Sequence, residues 1–224
     1  MAWKPLPETV TIELETPKPR EYTLPPEKTV ILVVDMENYF CKRGQGRSLD
    51  VIEGNVRLLA KARAAGAKII YCQSVRQVES PEHTVYGRPL HLIVGTWDAQ
   101  IVDEIAPLPG DTVIQKWSHD IWAWHGLEAE LEKEGLRAGE TTVLVTGVSA
   151  AGCAHAAALG FSNRKYHTLI PMDCTAASIE AEARTYAQYM GGGYSYNIGF
   201  TLSTMVEFAP KGVMTEPMPV AATV

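Results

Sequence analysis

The sequence predicts an α/β domain built on a parallel sheet of about six strands with helices on both faces, and three observations predict it. Short β-branched runs alternate with amphipathic stretches along the chain, the pattern of successive βαβ units. The stretches between the runs carry apolar residues at helical rather than alternating spacing. The length of 224 residues, 46% of them hydrophobic, suits one domain with one substantial core.

The elements follow in order. Residues 8–15 (ETVTIELE) alternate, with Val10, Ile12 and Leu14 on one side, as an edge strand would. Pro17, Pro19, Pro25 and Pro26 then separate this arm from the domain. Two readings fit the arm, a surface-packed tail and a clasp on a second subunit. The first core strand is Thr29–Val34 (TVILVV). VRLLAKARAAGAK follows, with Val56, Leu59, Ala60 and Arg63 at helical spacing and Gly66 as its stop, a crossover helix. Strands are expected at Lys68–Cys72 and Thr112–Gln115, then a helix through Leu127 and Leu131 that ends before Gly135. The strand Thr142–Thr146, a helix over Ala150–Asn163, the strand Thr168–Met172 and a helix over Ala177–Met190 come next, with a weaker sixth strand near Ile198–Leu202. This divides the chain into an arm (1–27), a domain (28–208) and a tail (209–224), with no repeat or low-complexity segment.

Composition excludes several function classes. The formal charge of −6 arises from interspersed acids and bases, without a Lys/Arg run that would track phosphates, so nucleic acid is not an expected partner. The N-terminus has no basic segment leading into an apolar run, and no apolar stretch approaches a membrane span. A cytoplasmic protein with no membrane partner is the expectation. Cys41, Cys72, Cys153 and Cys174 fit neither a zinc motif nor a disulfide framework, and three of them, Cys41, Cys72 and Cys174, read as buried spectators.

In open parallel sheets ligands bind beyond the C-terminal strand ends, so polar residues immediately after strands are the first candidates for chemistry. Asp35 ends VILVV, Lys116 ends TVIQ, and Cys153 follows TVLVTGVSAAG where strand yields to helix. A thiol at a helix start meets unpaired amides and the positive dipole end, which favour thiolate, and Lys116 would favour it further. Asp35 would hold the ammonium and carry a proton. Gly147, Ser149, Ala150, Ala151 and Gly152 are small enough for backbone amides to approach a substrate oxygen. From spacing alone, a small core cysteine in a Gly/Ala turn fits equally well.

Taken together, ILVVDMENYF, RLLAKARAAGAKIIY, GTWDAQIVDEIAPLPGDTVIQK and TGVSAAGCAHAAALGFSNRKY resemble the isochorismatase-like cysteine hydrolase superfamily, in its order and spacing, across most of residues 28–208. The resemblance implies a Rossmann-like sheet and a catalytic triad of Asp35, Lys116 and Cys153. It also implies a cis peptide at Val148–Ser149, with the amides of Ser149 and Cys153 forming an oxyanion hole. The reaction implied is hydrolysis of a small linear amide or ureide through a thioester. GVSAAGC, with glycine before the cysteine, is more similar to the carbamoylsarcosine and maleamate hydrolases than to isochorismatase. The rival readings are vinyl-ether hydrolysis, which resembling members perform without the cysteine, and an idle member kept as a binding partner.

The chain departs from the family in places. Metal-binding members resemble one another in an Asp-x-His segment; SVRQVESPEHTVYGRPLHL has no Asp, and His83 and His91 are loosely placed, so no metal and no cofactor is expected. The family's Asp-x-Gln-Asn-Asp-Phe reads Asp35-Met36-Glu37-Asn38-Tyr39-Phe40 here. After the lysine, a family Tyr or Phe gives way to a run with Trp117, His119, Trp122, Trp124 and His125. Phe40, His119, Trp122 and Gly152 are the candidates for contacting substrate. Arg43, Arg47 and Arg88 fall in loops, where they are either solvated charges or holders of a substrate carboxylate. A homo-oligomer, dimer or tetramer, is expected, with a neighbouring subunit in a position to complete the pocket.

Overall fold

The computed structural model describes residues 13, 15–43, 46–123, 126–191 and 198–210. Apart from Glu13 and Glu15, the stretch expected to form an edge strand at 8–15 lies outside the described residues, as do Trp124, His125 and the tail from residue 211.

In chain order the elements are β1 (Tyr22–Leu24), β2 (Thr29–Val34), α1 (Asn38–Cys41), α2 (Ile52–Ala65), β3 (Lys68–Ser74), α3 (Pro81–Thr84), β4 (Thr112–Lys116), α4 (Leu127–Lys133), β5 (Thr142–Val148), α5 (Cys153–Asn163), β6 (His167–Pro171), β7 (Thr175–Ala176), α6 (Ile179–Gly191), β8 (Ile198–Thr201) and β9 (Val206–Phe208). The main sheet runs β4-β3-β2-β5-β6-β8, with the two-residue β7 also paired to β5, and every pairing is parallel. β1 and β9, which the sequence pattern did not signal, form a separate parallel pair.

All six residues of β2 are buried, because the central strand of a sheet covered on both sides has no solvent face. Val30, Leu32 and Val34 face a core made with Ala154, Ala157, Ala158 and Phe161 of α5, Leu127 and Leu131 of α4 and Tyr189 of α6. Ile31 and Val33 face the other core, with Leu58, Leu59 and Ala62 of α2 and Val206 of β9. The α2 face differs by a position from the predicted one. Asn55, Leu58, Leu59 and Ala62 turn inward, whereas Val56 is 41% exposed, since Asn55 is drawn in by donating to the carbonyls of Val51 and Cys174. The helix stops as predicted at Gly66, whose φ of +78° lets its amide reach the carbonyls of Ala62 and Arg63. Among the described residues no helix is long and apolar enough to cross a membrane.

The chain winds outward from β2 through β3 to β4, then returns to add β5 on the opposite side of β2. That reversal opens a crevice beyond the C-terminal ends of β2 and β5. The two strands approach closely there. A Cβ at Gly147, whose φ is +89°, would lie 1.9 Å from the Val34 carbonyl oxygen, so only glycine fits beside the residue that precedes Asp35.

Candidate active site

Four strand ends supply the side chains of the crevice. Asp35 leaves β2 with φ +51°, a left-handed conformation that aspartate tolerates better than most residues, while its amide still donates to the Cys72 carbonyl at 3.0 Å. Lys116 is the last residue of β4 and is 1% exposed. Its Nζ lies 2.9 Å from Asp35 Oδ1 and 3.0 Å from Oδ2, and it also donates to the Ser118 carbonyl at 3.2 Å. Burial lifts the Asp35 carboxyl above its ordinary value more than Lys116 lowers it. Burial also works against the Lys116 ammonium, yet the Asp35 carboxylate facing it holds its pKa above the ordinary value. With both oxygens on one ammonium the pair is charged at neutral pH, and Asp35 is a stronger base than an exposed aspartate.

Cys153 is the first residue of α5, as its placement after a strand predicted, although the helix starts there and not at Ala150. Burial, aided by Asp35 and opposed by Lys116, pushes the Cys153 thiol up to about 12. The shift runs against the expectation that the helix start and Lys116 favour thiolate. The ammonium does not offset burial and the neighbouring carboxylate, so attack has to be coupled to removal of the thiol proton.

The turn before Cys153 carries the cis peptide expected at Val148–Ser149. Most amides of this turn are spent. Ala150 donates to the Ala176 carbonyl, Ala151 to Ser149 Oγ, and Gly152 and Ala154 both to the Ser149 carbonyl. Among the described residues the amides of Ser149 and Cys153 have no acceptor, and both residues line the crevice. Two unspent amide donors thus belong to residues that line a cavity next to a thiol.

The crevice is a cavity of about 410 Å³ lined by Asp35, Lys116, Cys153, Ser149 and Gly152, with Phe40, Trp117 and His119 as further walls. Of the residues expected to contact substrate, Phe40, His119 and Gly152 are therefore brought together, and His119 Nδ1 lies 3.0 Å from Cys153 Sγ. Trp122 is not in this wall. It packs edge-on against Phe161 at 4.7 Å between centroids, under the Arg164 guanidinium at 4.0 Å, because Gly160 of α5 leaves room for its ring. Trp117, beside the lysine, lines the cavity instead.

The remaining wall comes from the 74–91 segment, where sequence reasoning offered only Arg88 for substrate contact and set His83 and His91 aside as metal ligands. Arg88 lines the cavity with Arg76, Glu82, Tyr86 and His91. Among the described residues Arg88 makes no ion pair; Arg76 Nε sits 3.3 Å from Glu82 Oε1 without hydrogen-bond alignment. Arg43 and Arg47 are committed elsewhere, to Asp98 and to Asp50 and Glu182. Among the described residues no three His, Cys, Asp or Glu side chains converge as a metal-ligand set.

Glu37 stands where the family pattern has Gln. It is fully buried; Oε1 accepts the Ser74 amide at 2.6 Å and Oε2 has no partner. Burial first, and the Asp35 charge second, raise its pKa well above the ordinary value. A folded-state pKa above the unfolded one gives stability that is present below the ordinary carboxylate range and lost as pH rises through the raised value. Glu37→Gln is therefore expected to stabilise the protein at neutral and alkaline pH and leave it little changed at acid pH, measured as urea midpoints across pH. An equal shift at every pH would contradict the assignment of a buried, proton-binding carboxyl.

A sequence model of the isochorismatase domain matches residues 29–191. A ureidoacrylate amidohydrolase of Methylorubrum extorquens is 27% identical over 186 residues, which is 70% of this chain and 73% of that protein. The ureidoacrylate amidohydrolase of Cronobacter turicensis is 31% identical over 159 residues, 58% of this chain and 68% of that protein. An N-carbamoylsarcosine amidase from Thermoplasma acidophilum has a similar structure, with a TM-score of 0.66 at 24% identity over 79% of this chain and 96% of that one. A cysteine hydrolase from Pseudomonas syringae pv. phaseolicola gives 0.70 at 20% identity over 84% and 94%. At such identities these structures speak for the fold.

Proposed function

The chain belongs to the isochorismatase family, and from that premise we propose that it hydrolyses the C–N bond of a small linear amide or ureide, with Cys153 as nucleophile. The observation that carries the reading is the thiol of Cys153 in one cavity with a buried Lys116–Asp35 pair and two unspent amides, those of Ser149 and Cys153. Asp35 accepts the thiol proton as Sγ attacks the carbonyl carbon, and Lys116 keeps the neighbouring charges paired throughout. The oxygen that becomes negative is met by the Ser149 and Cys153 amides. Asp35 then returns the proton to the departing nitrogen, leaving a thioester that water hydrolyses. The curated relatives' names, ureidoacrylate amidohydrolases, support this bond type.

The cavity also supports an anionic substrate. Arg88, which has no carboxylate partner among the described residues, offers a bidentate contact for a substrate carboxylate in the wall of the cavity that holds the thiol. The test is a panel of neutral and carboxylate-bearing primary amides and ureides assayed for ammonia release. Turnover is expected with carboxylate-bearing members and is lost after alkylation with iodoacetamide; ammonia release that survives alkylation of Cys153 would overturn the reading. In the same assay Arg88→Ala is expected to raise KM by about 10- to 100-fold, the loss of one charged hydrogen-bonded contact, with kcat little changed. An Arg88→Ala effect confined to kcat would remove the carboxylate site.

A homo-oligomer, dimer or tetramer, is part of the proposal. Exposed Val85, Tyr86, Leu90, Val94 and Trp97, all between β3 and β4, support it, and light scattering that returns only monomer would count against it.

A further inference from the structure

Asp35 and His119 both flank Cys153, but their access to water differs. Asp35 is 2% exposed and both its oxygens face Lys116, whereas His119 is exposed, lines the cavity and holds Nδ1 3.0 Å from Sγ. His119 is therefore an exposed, water-accessible group of the cavity wall in contact with Sγ. In the acyl-enzyme the acyl carbon is bonded to Sγ, so a water approaching that carbon from the cavity arrives within reach of the imidazole. We propose that His119 is the base that activates the hydrolytic water, while Asp35 serves the acylation step. The inference rests on Cys153 being the nucleophile, as argued above.

The step balances without another reactant. The water oxygen bonds to the thioester carbon as one of its protons passes to Nδ1, which requires the tautomer with the proton on Nε2. The tetrahedral adduct collapses, the C–S bond breaks and its electron pair goes to Sγ. The imidazolium returns its proton to sulfur, restoring the thiol and releasing the acid. An imidazole suits this role because one ring nitrogen accepts the water proton while the other keeps its own, so the same ring can take up a proton and give it back. His119 belongs to the run after the lysine in which this chain departs from the resembling sequences, so the division of work belongs to this chain's own residues.

The experiment uses p-nitrophenyl acetate, which acylates thiols with release of a coloured phenolate, on the wild type, His119→Gln and His119→Phe. Wild-type enzyme is expected to give a burst followed by steady turnover. Both variants, folded by circular dichroism since the residue is exposed, are expected to keep the burst while steady turnover falls about 100-fold or more. Intact-mass analysis should then find the acetyl group persisting on Cys153. Wild-type deacylation rates in both variants would overturn the role of His119. So would loss of burst and steady phase in equal proportion, since that places His119 in thiol activation. Absence of a burst and of any Cys153 adduct in the wild type would instead sink the nucleophile assignment itself.

Discussion

Cys153→Ala is expected to lower turnover about 10,000-fold or more, the scale seen when a covalent nucleophile is removed while its surroundings persist. The residue opens α5 and lines the cavity, and alanine is the better helix former, so the fold should survive unaltered. Ammonia release from the best panel substrate, together with the circular dichroism spectrum, checks both halves. The residual rate has meaning too. The amides of Ser149 and Cys153 belong to the backbone and remain, so whatever turnover survives measures the polarisation they provide without a nucleophile. A variant that retained a tenth of wild-type activity would align this chain with the chemistry of members that need no cysteine.

Lys116→Met is expected to cost about 3–5 kcal/mol of stability, because it leaves the Asp35 charge, 2% exposed, without the ammonium that pairs it. The sign of the pH dependence follows. Without Lys116 the folded pKa of Asp35 rises further, so its contribution is intact below the ordinary aspartate range and is lost as pH rises through the new value. The penalty should therefore be largest at neutral and alkaline pH and smallest in acid. Combining Lys116→Met with Asp35→Asn should recover part of the loss, with a coupling energy of about 1–3 kcal/mol in a double-mutant cycle. Urea unfolding of the four proteins decides it, and strictly additive costs would mean the two side chains do not act as a pair.

Much of this was legible in the sequence. Six strands of the main sheet were readable because parallel strands in such sheets are short, β-branched and bounded by turns, and Asp35, Lys116 and Cys153 stood out because ligands bind beyond the C-terminal ends of such strands. The β1–β9 pair was not, since strands of three residues leave no periodicity to detect. Trp122 was assigned to the pocket from aromatic density alone. What directs its ring is the space over Gly160 and the faces of Phe161 and Arg164, all supplied by α5 from elsewhere in the sequence. Arg76 and the cavity wall of 74–91 escaped notice for a similar reason, as irregular segments carry no periodic signal of which way a side chain turns. The burial that raises the Cys153 thiol was not legible either, because a lysine can be read from a sequence whereas the desolvation that outweighs it depends on the assembled core.

The central claim is that Cys153 becomes covalently acylated, and its most direct test is rapid acid quench of the protein during turnover of the best panel amide, followed by peptide mass analysis. The account predicts the substrate's acyl fragment on the peptide containing Cys153, absent from Cys153→Ala and removed by hydroxylamine. Full turnover with an unmodified Cys153 peptide at every quench time would contradict it.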